Sequence, residues 1–125
     1  GLGGGEVFRR LVTDMRADCA DETRLLCLLK DCEAVAEFLH TALVDDRLAA
    51  SYPFLTMLAV AVAGWLMKRQ LVAVEKHEDA QFRAMKTAAA HFYMDQVVPE
   101  AAGLFAAATA SADILYQVQP EAFGV

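Results

Sequence analysis

The chain has 125 residues, a formal net charge of -6 and 57% hydrophobic residues, with 22% charged. That length suits one domain, and the apolar content excludes a disordered tail. The acidic balance argues against nucleic acid or an anionic membrane as partner, since both need clustered Lys and Arg.

Alanine occurs 24 times, against three prolines and seven glycines. Alanine loses no side-chain entropy in a helix, and no long window alternates apolar with polar residues. The expectation is an all-α fold.

The first helix is expected over 6–19, with Val7, Phe8, Leu11 and Met15 in one apolar stripe behind the glycine-rich lead Gly1 to Gly5. Asp21 is the expected N-cap of a second helix over 22–43. Its stripe is Leu25, Leu28, Leu29, Cys32, Val35, Ala36, Leu39 and Leu43. Asp45, Asp46 and Arg47 read as its exit, followed by a turn through Leu48 to Ser51. Ser51 then caps a third helix with Pro53 in its first turn, running to about Lys76.

A fourth helix starts near Asp79, turns Phe82, Met85, Ala89 and Phe92 inward, and continues past Pro99 with a kink to Ala110. The tail from Ser111 carries Ile114, Leu115, Tyr116, Val118 and Phe123, which need a surface to cover. Four long helices with short connections make an antiparallel up-down four-helix bundle, the last helix kinked at Pro99. The longest apolar run, 54–67, falls short of the ~20 residues that span a bilayer, so a buried core helix is expected there.

Candidate sites are few. Glu37 and His40 form one E-x-x-H, but a di-iron bundle needs a second such pair and two further glutamates. His77-Glu78 opens an H-E-x-x-Q that ends on Gln81 where a zinc site needs histidine. His91 has Asp95 one turn on, within reach of a surface pair that would be worth little. Cys19, Cys27 and Cys32 have no C-x-x-C spacing, and reduced thiols in a cytoplasmic protein are the expectation. Gly1 to Gly5 is no phosphate loop, since Glu6 stands where glycine is required. Trp65 reads as core with an N–H that needs one partner. No catalytic, cofactor-binding or metal residue is assigned.

From Gly64 onward the sequence resembles the C-terminal extension domain of a subset of bacterial acyl-CoA dehydrogenases. The matching residues are Gly64-Trp65-Leu66, then Phe82, Lys86, Thr87, Ala88, Phe92-Tyr93, Val97-Val98-Pro99 and Ala101-Ala102. Thr87 falls early against the family pattern, and His91 stands where arginine is usual. The resemblance implies one domain over 1–125, the C-terminal part of a larger flavoenzyme that oxidises acyl-CoA to enoyl-CoA with FAD. The flavin and base then lie upstream, and the partners are the catalytic domains of the same polypeptide within a homo-oligomer. A free-standing helical bundle that binds metal or another protein is the alternative.

Overall fold

The computed structural model describes residues 4–124; residues 1–3, Val125 and the side chain of Phe123 lie outside the description. No strand occurs among the described residues, as the composition implied. Helix α1 spans Gly4–Asp18, α2 Thr23–Thr41, α3 Val44–Val74 and α4 Ala80–Phe92. Short helices α5, Val98–Ala102, and α6, Phe105–Ala108, follow. The tail forms 3-10 turns at Ala112–Gln117 and Pro120–Phe123.

α1 and α2 lie close to the expected places. Val12, Met15 and Cys19 are the buried residues of the first segment, whereas Val7 is exposed and falls outside the stripe. α2 buries Leu25, Leu28, Leu29, Cys32 and Val35. Each leucine removed from water there contributes roughly 1.5–3 kcal/mol. Asp21 does not cap α2. Its carboxylate instead takes a 2.7 Å hydrogen bond from Lys68 Nζ, and the helix starts without a side-chain cap.

The third helix departs most from expectation. Only Ala42 and Leu43 separate it from α2, and it begins at Val44, well ahead of Ser51. Asp45 and Asp46 therefore occupy its first turn, where carboxylates favour the positive end of the helix dipole. The acidic run marks a start and not an exit. Ser51 is inside the helix and donates to the Leu48 carbonyl at 2.8 Å. Pro53 is buried in the interior, where it has no N–H for the Ala49 carbonyl. At 31 residues, α3 is long and apolar enough to cross a membrane by length and composition. One side of it is core: Ala50, Pro53, Met57, Ala61 and Gly64 are buried.

α4 starts where expected, and Asp79 caps it, accepting from the Gln81 and Phe82 amides at 2.9 and 3.2 Å. The inward face is not the expected one. Ala90 is the buried residue of α4, while Met85, Ala89 and Phe92 are exposed. The reason is positional: α4 packs on the second half of α3, and no residue from 65 to 89 is buried. These two segments form an arm that extends past the core.

The helix past α4 is divided where a single kinked one was expected. A π turn spans Tyr93–Val97, closed by the Val98 amide on the Tyr93 carbonyl. Pro99 follows in the first turn of α5, where its missing N–H costs no helical bond. Met94, Val98 and Ala101 all reach the core through this widened turn. α3 is the centre of the assembly, touching α1, α2, α4, α5 and α6, with α2 closing on α5 and α6. Four equal stripes do not meet in one bundle; one long helix gathers the rest.

Candidate functional site

The residues with potential chemistry are dispersed. Glu37 and His40 are exposed on α2, and no group of three His, Cys, Asp or Glu able to hold a metal occurs among the described residues. His77, Glu78 and Gln81 lie exposed at the turn between α3 and α4. There His77 Nδ1 accepts from the Asp79 amide at 3.1 Å, and its ring stands 4.7 Å from that of Phe82. The Arg83 guanidinium donates to the His77 carbonyl. These contacts tighten a turn and leave no ligand set. His91 does not pair with Asp95, whose carboxylate instead accepts from Arg24 of α2 at 2.8 Å. A guanidinium gives that carboxylate a charge-assisted hydrogen bond.

The cysteines divide by burial. Cys19 and Cys32 are buried and Cys27 is exposed, all three free. Burial pushes the Cys19 thiol up to about 11 and the Cys32 thiol up to about 12, with neighbouring acidic side chains adding to both. Thiols so shifted are poor nucleophiles at neutral pH.

The motif residues beginning at Gly64 hold the fold together. A Cβ on Gly64 would stand 2.9 Å from Leu25 Cδ1 and 3.3 Å from Tyr93 Cε1. With no side chain at Gly64, α2, α3 and the π turn close on one another here. Tyr93 Oη donates to the Val60 carbonyl at 2.6 Å, and burial raises its phenol above the ordinary range. Trp65 Nε1 finds the partner that its burial requires in Asp18, at 2.8 Å. Lys68 Nζ joins the same corner through Asp21 and, at 3.4 Å, Glu22. The Asp21 carboxylate holds the ammonium above its usual range. Nothing in the local sequence signals Asp18, Val60 or Asp21 as partners, because all three contacts cross between elements.

A groove of about 770 Å³ runs along the arm between α3 and α4, lined by Lys68, Leu71, Glu75, Arg83, Thr87 and His91. It is open, and its polar residues converge on no point. None of the described residues is both buried and polar or charged. The site that remains is a surface. Exposed apolar side chains gather on the outer side of α3 (Leu48, Tyr52 and Leu55), on the arm (Val72, Met85 and Phe92) and on the tail (Ile114, Leu115 and Tyr116). The tail is tied to the start of α3: the Ala112 amide donates to Asp46 at 2.7 Å and Tyr116 Oη donates to Asp45.

The family described as acetyl-CoA dehydrogenase C-terminal like matches residues 11–119. The chain belongs to this family. The match reaches well upstream of the Gly64 motif and takes in α2, the first half of α3 and most of the tail. No curated protein and no solved structure matches the chain. In this acetyl-CoA dehydrogenase C-terminal-like domain, Gly64, Trp65 and Tyr93 act as packing residues.

Proposed function

We propose that the chain is a non-catalytic C-terminal accessory domain of an FAD-dependent acyl-CoA dehydrogenase. It packs on the catalytic body of its own polypeptide or on that of a dimer partner. The parent oxidises acyl-CoA to enoyl-CoA in the cytoplasm, and this domain supports the assembly without touching the reacting atoms. One observation carries the reading: a family member whose described residues build no catalytic set carries large apolar side chains in the open along α3, the arm and the tail. Apolar patches of this kind mark interaction surfaces.

FAD does not fit these residues. A dinucleotide needs a cradle of backbone amides or buried polar groups, and the described residues bury no polar side chain. The flavin is therefore assigned to the upstream body, and no step of its chemistry is routed through this domain. Three free cysteines accord with a reducing compartment.

The test is the full-length enzyme with and without this region. Loss of assembly, or a changed preference for acyl-chain length, is the expected result. Unchanged assembly and unchanged preference would remove the reading. An upstream reading frame without a flavin-binding oxidoreductase would remove it as well.

A further inference from the structure

The two helices of the arm meet on His77. Its amide donates to the Val74 carbonyl at 2.9 Å, closing the end of α3. Its own carbonyl accepts from the Arg83 guanidinium of α4. Its ring stands 4.7 Å from that of Phe82, and its Nδ1 accepts from the Asp79 amide at 3.1 Å. The amide at a helix start has no intrahelical partner, so this bond supplies one. Asp79 in turn caps α4 through the Gln81 and Phe82 amides. The ring therefore holds the residue that holds the helix.

An amide two residues on is the partner that Asn or Asp takes in an Asx turn. Here an imidazole takes it, and an imidazole loses its acceptor when it gains a proton. An imidazolium has two N–H donors and no lone pair, so Nδ1 would aim a hydrogen at the Asp79 N–H. Several charged groups surround the ring. Glu75 ends α3, Lys76, Glu78 and Asp79 flank His77 in the chain, Arg83 reaches its carbonyl from α4, and Lys86 lies over the Phe82 ring. Among them the Asp79 carboxylate belongs to the residue that the ring already contacts.

We propose that His77 is a pH-sensitive latch on the turn between α3 and α4. With the ring neutral, Nδ1 holds the Asp79 amide and leaves the Asp79 carboxylate on the start of α4. With the ring protonated, the Asp79 amide loses its acceptor, and the imidazolium draws the carboxylate away from the Gln81 and Phe82 amides. The first turn of α4 then loosens, and Phe82 leaves the ring it stacks on. The change stays within the arm, because no residue from 65 to 89 is buried in the core. The latch goes beyond the accessory role and does not rest on it.

Amide spectra of the 15N-labelled 125-residue chain between about pH 7.5 and about pH 5.5 test the latch. Imidazoles change charge in that range and ordinary carboxylates do not. The Asp79 amide proton is expected to move upfield in step with the His77 ring protons. Solvent exchange of the Gln81 and Phe82 amides, each relative to its intrinsic rate, should quicken by about two- to fivefold, the ratio that a lost cap is worth. His77→Asn keeps a side-chain acceptor and takes up no proton, so both responses should vanish while the cap is retained. His77→Ala should give the low-pH behaviour at both ends of the range. His40→Asn and His91→Asn should leave the response in place. Two results would overturn the proposal: a His77 ring that titrates while the Asp79, Gln81 and Phe82 amides stay still, or responses that persist in His77→Asn.

Discussion

The phenol of Tyr93 donates a 2.6 Å hydrogen bond to the carbonyl oxygen of Val60, tying the π turn after α4 to the middle of α3. The bond sits where the arm leaves the core. Tyr93→Phe keeps the ring and removes the donor. A net loss of about 0.5–1.5 kcal/mol is expected, measured as a lower urea midpoint with an unchanged slope.

Gly64→Ala tests the neighbouring close approach. Alanine gains about 1 kcal/mol of helix propensity over glycine. Against that stands a Cβ placed 2.9 Å from a terminal methyl of the fully buried Leu25. Overpacking of this kind costs typically 1–3 kcal/mol, so the variant is expected to be less stable by up to about 2 kcal/mol. Gly64→Val should be worse still. An equal or higher thermal midpoint for Gly64→Ala would show that Leu25 has room to move.

The single tryptophan reports on the α1–α3 corner. Asp18→Ala removes the acceptor of the Trp65 indole N–H. A shift in Trp65 fluorescence is expected, together with a stability loss of about 1 kcal/mol. Emission identical to the parent chain would mean that the indole is held by packing alone.

Thiol chemistry should separate the three cysteines. Cys27 is exposed, whereas Cys19 and Cys32 are buried with thiols pushed up to about 11 and about 12. Titration with an aromatic disulfide at pH 8 is expected to modify Cys27 rapidly and the other two only on unfolding. Mass spectrometry of the labelled peptides checks the assignment.

The Asp21–Lys68 pair sets a pH dependence of known sign. The Lys68 hydrogen bond lowers the Asp21 carboxyl below the ordinary carboxylate value. Its contribution is therefore present above about pH 4 and lost as pH falls through the lower folded value. The Asp21 hydrogen bond raises Lys68 above 10.5. That contribution is present below pH 10.5 and lost as pH rises through the folded value. Lys68→Met should flatten both limbs of the stability profile. The effect is small, because the Asp21 carboxylate is largely solvated.

Local chemistry was legible in the sequence wherever it acts within one helix. The alanine content, the α2 stripe from Leu25 to Val35 and the start of α4 near Asp79 depend on neighbours a few residues apart, and each was readable before any fold was known. The absence of a complete metal or nucleophile spacing around Glu37, His40, His77 and the cysteines was readable in the same way. Tertiary structure decided the rest. Asp45 and Asp46 could mark the end of one helix or the start of the next, and the tail amide of Ala112, 66 residues away, sits on the second. Met85 and Phe92 have helical spacing for a core face, but α4 lies beside the part of α3 that has no core beneath it. Periodicity fixes which side chains share a face; only the packing of distant segments determines whether anything covers it.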